Sequence, residues 1–258
     1  GYLEFVDVAQ PTAAFSLDRD VGLAVVGRPL AGRLQYQVAI LDGRSTPCPV
    51  KPTVTLACDV IDPAFAARVV AAPFGPLPFF EGDGARHEHP LVSLGVSGAY
   101  GLVPTDVRAR SGNDAAALDL DGDYRVDNVS VWQAAAELRA IFRGASLQAE
   151  WLGRREHPGA GLPERSFWGA YAQGSYFVIA RRLQLAARFS RGDQPNYGVA
   201  ALERLQRGTR VTEESGAVSF YARGHDAKLQ LDYTHRAIPD AFAATSEDRV
   251  RVAAQLAF

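Results

Sequence analysis

Apolar residues recur at every second position through long segments of this chain, and that period leaves few folds open. "RLQYQVAI" sets Leu34, Tyr36, Val38 and Ile40 against Arg33, Gln35 and Gln37. "SLQAEWLG" sets Leu147, Ala149 and Trp151 against Ser146, Gln148 and Glu150. "RLQLAARFS" sets Leu183, Leu185, Ala187 and Phe189 against Gln184, Arg188 and Ser190. "AKLQLDYT" and the closing "DRVRVAAQLAF" repeat the pattern. Successive side chains of a strand point to opposite faces, so each segment is a strand with one apolar face and one polar face. Such segments number about eleven, many of them ~9–13 residues long, against the ~5–6 usual in globular sheets. Their cores fall near 19–27, 32–42, 64–73, 90–101, 130–142, 145–155, 166–179, 182–192, 214–223, 227–237 and 247–258.

The connections alternate in length. Tight ones are "GRPLAG" at 27–32, "RGAS" at 143–146, "IARR" at 179–182 and "RGHD" at 223–226. Long polar ones are 43–63, 102–129, 156–165, 193–213 and 238–246; the long 74–89 is the exception on the tight side. Greek-key sandwiches do not sort their connections by parity. An up-and-down membrane barrel does, with turns at one rim and loops at the other. A soluble up-and-down barrel would close with about eight strands and turn its apolar face inward. The fold expected is an all-β, antiparallel, up-and-down transmembrane β-barrel forming one domain over 1–258. Trp132, Trp151, Trp168 and Tyr233 suit a lipid-facing girdle, although strands favour such residues anyway.

Composition agrees without deciding. The chain has 258 residues, 47% hydrophobic and 22% charged, with a net charge of -2, which gives no basis for nucleic-acid binding. Its mean hydropathy of -0.08 suits a soluble protein and a barrel equally. No run of ~18 apolar residues marks a transmembrane helix. There is no methionine and no signal-peptide pattern, so a processed protein or a fragment is expected.

Alternation also assigns the lumen. Its candidates are Arg33, Arg68, Glu137, Arg139, Glu150, Arg188, Lys228, Asp232 and Arg251. Channels select by diameter and by rings of charge, and the excess of cations in this set suggests a mild anion preference. The plainer alternative is a solvated wall without selectivity. Cys48 and Cys58 flank a Pro-rich stretch, "TPCPVKPTVTLAC"; they read as a disulfide in an oxidising compartment or as unrelated thiols. Asp119, Asp121, Asp123 and Asp127 in "DLDGDYRVDN" read as a Ca2+ loop or as an acidic solvated loop, since the glycine and the twelfth position do not fit a calcium motif. His87 and His89 in "HEH" would hold a metal only with a third ligand from elsewhere; a polar turn is the alternative. No serine stands in a nucleophile motif, so an enzyme is not expected.

Several stretches resemble the phosphate-selective porin O/P family of Gram-negative outer membranes. They are "FSLDRDVGLAVVGRPLAGRLQYQVAILDG", "FAARVVAAPFG", and "RAIFRGASLQAEWLGRRE" followed by "GAYAQGSYFV". The terminal Phe258, with Leu256, Val252 and Val250, resembles the signal read by the barrel assembly machinery. The resemblance implies a homotrimer of 16-stranded barrels in outer-membrane lipid, passing small solutes through a water-filled channel. About five strands would then precede this chain, and residues 1–18 would end a constriction loop that narrows the pore. The family's lysine cluster has no counterpart, because the only lysines are Lys51 and Lys228, so phosphate specificity does not carry over. A non-conducting structural or adhesive outer-membrane barrel is the alternative function.

Overall fold

The computed structural model describes residues 4–15, 21–41, 63–78, 81–104, 128–157, 164–194, 209–223, 226–239 and 245–256. A short helix α1 (Gln10–Phe15) precedes eleven strands. They are β1 (Gly22–Gly27), β2 (Leu34–Leu41), β3 (Ala64–Ala71), β4 (Leu91–Pro104), β5 (Asn128–Phe142), β6 (Ala145–His157), β7 (Arg165–Ile179), β8 (Leu183–Gln194), β9 (Thr209–Arg223), β10 (Ala227–Ile238) and β11 (Thr245–Leu256). They form one antiparallel sheet in sequence order, with β1 and β11 at its edges. Each strand therefore lies where the hydrophobic period places it, to within a few residues.

The tight turns use backbone that few residues adopt. Arg143 (φ 48°) and Gly144 (φ 89°) join β5 to β6, the pair of positive angles that matches the twist of a two-residue hairpin. Between β1 and β2 the chain makes a 3-10 turn, Leu30–Gly32, with positive φ at all three residues. Arg33 caps that turn with a helical φ of -71°. It therefore lies in the turn and not in the strand, as its alternation with Gln35 would have it.

The pairing sorts every strand into two faces. One carries Leu94, Val96, Leu147, Trp151, Leu185, Val218, Leu231 and Val252, all exposed. The other carries Gln173, Ser175, Gln184, Ser190, Ser215, Ser219, Gln230 and Thr234, all buried. We call the polar face inner, because residues 4–15 lie on it. This is the reverse of a soluble sandwich, in which apolar faces pack on each other. Among the described residues the buried apolar cluster is small: Phe15 of α1 packs on Leu152 and Phe167.

Aromatic residues stand at both ends of the outer face. Tyr100, Trp132 and Trp168 lie toward the long connections, and Phe142, Tyr176 and Phe220 toward the tight turns. Trp132 and Phe142 are separated by roughly ten residues, or ~34 Å along β5. At the ~40° tilt usual for membrane-barrel strands, that spacing would correspond to a band about 25 Å high.

Candidate pore lumen

Two segments fold onto the inner face, and neither is a strand. The first is residues 4–15. Glu4 is buried, and its Oε1 accepts from Ser146 Oγ on β6 at 2.6 Å, from Gln184 Nε2 on β8 at 3.0 Å, and from Ser175 Oγ on β7. Its carbonyl accepts from Gln230 Nε2 on β10. One residue thus ties four of five successive strands. Burial raises the Glu4 carboxyl pKa, as does nearby Glu81, while the serine hydrogen bonds act the other way.

The rest of the segment follows the same wall. Asp232 accepts the Val6 N–H at 2.9 Å and Arg251 Nε at 2.8 Å. Arg251 also donates to Asp7 Oδ2 at 2.8 Å. Arg188 donates to the Asp7 carbonyl at 2.9 Å, and its guanidinium sits 4.3 Å above the Phe5 ring. Helix α1 contacts β6, β7 and β8. It approaches closely because Gly169 has no side chain: a Cβ there would lie 2.7 Å from Pro11 Cβ. Thr12 Oγ1 donates to Glu150 at 3.1 Å, and Gln133 Nε2 donates to the Phe15 carbonyl at 3.1 Å.

The second segment is residues 72–78 and 81–90, in the connection between β3 and β4 that contains the long 74–89 stretch. It crosses the inner face at the turn end of the sheet. The Pro78 carbonyl accepts from Arg139 at 2.8 Å. Glu81 Oε2 accepts the Glu4 N–H at 2.7 Å, which joins the two segments. Asp83 accepts the N–H of Gly144 at 2.8 Å and that of His87 at 3.0 Å, and its Oδ1 lies 2.6 Å from His87 Nδ1. Burial pushes the Asp83 pKa up, but these bonds hold it below the ordinary carboxylate value. Arg86 donates to the Phe177 carbonyl at 2.6 Å. His87 is thus a strap contact, and among the described residues no group of three His, Cys, Asp or Glu is placed to hold a metal.

The alternation candidates fall into groups. Arg68 and Glu137 pair at 2.5 Å across β4, on the uncovered part of the wall. Arg139 and Glu150 lie beneath the two segments. Arg188, Asp232 and Arg251 converge around Asp7. Lys228 is buried, its ammonium 5.3 Å from the Tyr221 ring centre. Arg33 stands apart in its turn. Leu256, Val252 and Val250 are exposed on the outer face, whereas Phe258, Cys48, Cys58 and the four aspartates from Asp119 to Asp127 lie outside the described residues.

Sequence reasoning missed several inner charges. Glu213, Arg236 and Arg249 share the parity of Asp232 and Arg251 and were readable from it. So was the buried cluster in which Glu156 meets Arg154 at 2.6 Å and Arg165 at 2.8 Å. Glu4, Asp7, Glu81 and Asp83 carry no periodic signal. Their carboxylates offset the cation excess of the strands.

Between α1 and strands β2 to β6 a cavity of about 490 Å³ remains open. Ala39, Ala66, Ser97, Ala99 and Ala135 line it, with Arg68 and Glu150. A family model described as phosphate-selective porin O and P matches residues 96–258, from within β4 to the end of the chain. No curated protein matches the chain.

Proposed function

The chain belongs to the phosphate-selective porin O and P family, and on that premise we propose that it is an outer-membrane β-barrel whose inner face lines a channel for passive diffusion of small solutes. The observation that supports this most is the reversal of the two faces. An exposed apolar face edged by aromatic residues suits lipid, and a polar inner face suits water. Residues 4–15 are the inward end of a constriction loop in this reading, and the functional unit is a homotrimer. Purified protein added to planar bilayers in KCl is expected to give stepwise conductance. Silent insertion would instead favour the structural or adhesive alternative. The filled wall from β6 to β10 supports that alternative, and the open cavity beside β2 to β5 supports the channel.

Selectivity should follow exposure. Arg68 borders the open cavity with half its side chain exposed, whereas Arg139 and Arg188 lie under the two segments. Arg68→Gln is expected to lower anion over cation permeability more than Arg139→Gln or Arg188→Gln. Reversal potentials in a salt gradient measure this; an unchanged potential in the triple variant would place selectivity in the inward-folded segment instead.

A further inference from the structure

The turn end of the sheet is strongly basic. Arg28, Arg33, Arg143, Arg181, Arg182 and Arg223 stand at the tight turns, all exposed. Arg86, exposed on the segment that crosses this end, joins them. None of these arginines forms an ion pair among the described residues, where the exposed carboxylates of this end are Glu88 and Asp226. At the opposite end charges are matched: Arg165 meets Glu156 at 2.8 Å, Arg249 meets Glu247 at 2.9 Å and Arg236 meets Glu213 at 3.6 Å. Turn geometry does not ask for arginine either. The φ angles at Arg86, Arg143 and Arg181 are 55°, 48° and 59°, values at which Gly and Asn are the usual residues.

Two of these arginines are fixed beside the apolar face. Phe142, Ala145 and Tyr176 pair in a row across β5, β6 and β7, and all three are exposed. The Arg143 guanidinium lies 5.0 Å from the Phe142 ring centre, and that of Arg86 5.7 Å from the Tyr176 ring centre. Arg86 packs on Gly144, where a Cβ would come within 3.2 Å of its Nε, and donates to the Phe177 carbonyl at 2.6 Å. Strands stand ~4.8 Å apart, so about 10 Å separates the two rings, with the Ala145 methyl between them. Next along β6 on this face is Leu147, flanked by Ala140 and Gly174.

We propose that this row binds one anionic phospholipid of the leaflet at the turn rim. The inference rests on reading the outer face as lipid-facing. The lipid phosphate pairs with the edges of the Arg86 and Arg143 guanidiniums, since stacking on a ring occupies the guanidinium face and leaves N–H donors at its edge. The headgroup lies over Ala145, between the rings, and the acyl chains run past Ala140 and Gly174 on either side of Leu147. His87, on the same segment as Arg86, is already engaged with Asp83. A zwitterionic headgroup would bring its ammonium into the field of the other rim arginines, whereas an anionic one is drawn by them. Inorganic phosphate has no apolar part to place on Ala145 and Leu147.

The probe is phosphatidylglycerol added to the complete protein in detergent, with phosphatidylcholine as the comparison and retained lipid counted by native mass spectrometry. Preferential retention of phosphatidylglycerol is expected, about ten-fold weaker when Arg86→Gln and Arg143→Gln are combined. Arg181→Gln combined with Arg182→Gln removes as much rim charge but keeps the row, and should weaken retention less than about two-fold. Ala145→Phe keeps every arginine, fills the gap between the rings with a side chain suited to lipid, and should weaken retention about as much as the first pair. Equal retention of the two lipids would overturn the proposal, as would unchanged retention in Ala145→Phe. Equal losses in the two arginine pairs would replace the site with diffuse rim charge, and displacement of the lipid by an equal concentration of sodium phosphate would replace it with a free-anion site. Insertion into phosphatidylcholine bilayers, measured separately, reports on the membrane reading: a protein that inserts and conducts yet retains no phosphatidylglycerol refutes the lipid site alone.

Discussion

Val96→Arg is expected to destabilise the folded protein by about 2–4 kcal/mol, whereas Ser97→Arg, one residue further along β4, should cost little. Val96 stands exposed on the outer face within the apolar band. An arginine there loses its hydration to hydrocarbon and finds no partner. Ser97 points the other way, into the open cavity beside Arg68 and Glu137, where water and a carboxylate receive the new charge. Urea midpoints in lipid vesicles, followed by the change in gel mobility of the folded form, compare the two. A larger loss for Ser97→Arg would mean that the faces are assigned the wrong way round.

The second large effect is expected at Glu4. Glu4→Ala removes the acceptor shared by Ser146, Ser175 and Gln184, although Ser175 and Gln184 still bond each other at 2.7 Å. The loss should weaken docking of residues 4–15 by about 2 kcal/mol, roughly thirty-fold in the ratio of docked to free segment. Single-channel conductance should rise with more frequent open steps. Glu4→Gln keeps an acceptor and should stay docked.

The two forms of Glu4 also fix a pH dependence. Burial raises the docked carboxyl pKa, so a freed Glu4 loses its proton first as the pH climbs. Docking is at full strength below the ordinary carboxyl value. It weakens between that value and the raised one, and is level above. Conductance should therefore increase from acid toward neutral pH in the unaltered protein and stay flat in Glu4→Gln. A profile unchanged by Glu4→Gln would assign the titration to another group.

The strands were legible because a period of two, kept over a dozen residues and bounded by tight turns, has one structural meaning. Edges were less so. The 3-10 turn at Leu30–Gly32 takes Arg33 out of β2 through backbone angles that alternation does not encode. The wall charges were readable by parity, and Arg249 could have been placed as firmly as Arg251. The segments that fill the wall were not. Glu4, Asp7 and Glu81 take their positions from partners scattered over β6 to β11, and nothing local in their sequence fixes which strands they meet. The excess length of 74–89 was visible, but the contacts that Pro78, Glu81 and Asp83 make with the sheet were not.

Helix α1 packs on β6, β7 and β8 and reaches β5 through Gln133 and Ala135, while the cavity stays open beside β2 to β4. The labour of the interior is thereby divided. One wall holds the furniture in place; the other, with Ala39, Ala66, Ser97 and Ala99, borders the open cavity. If the inner face is the solute path we propose, substitutions on this wall change its width and polarity without disturbing any anchor, one alanine at a time.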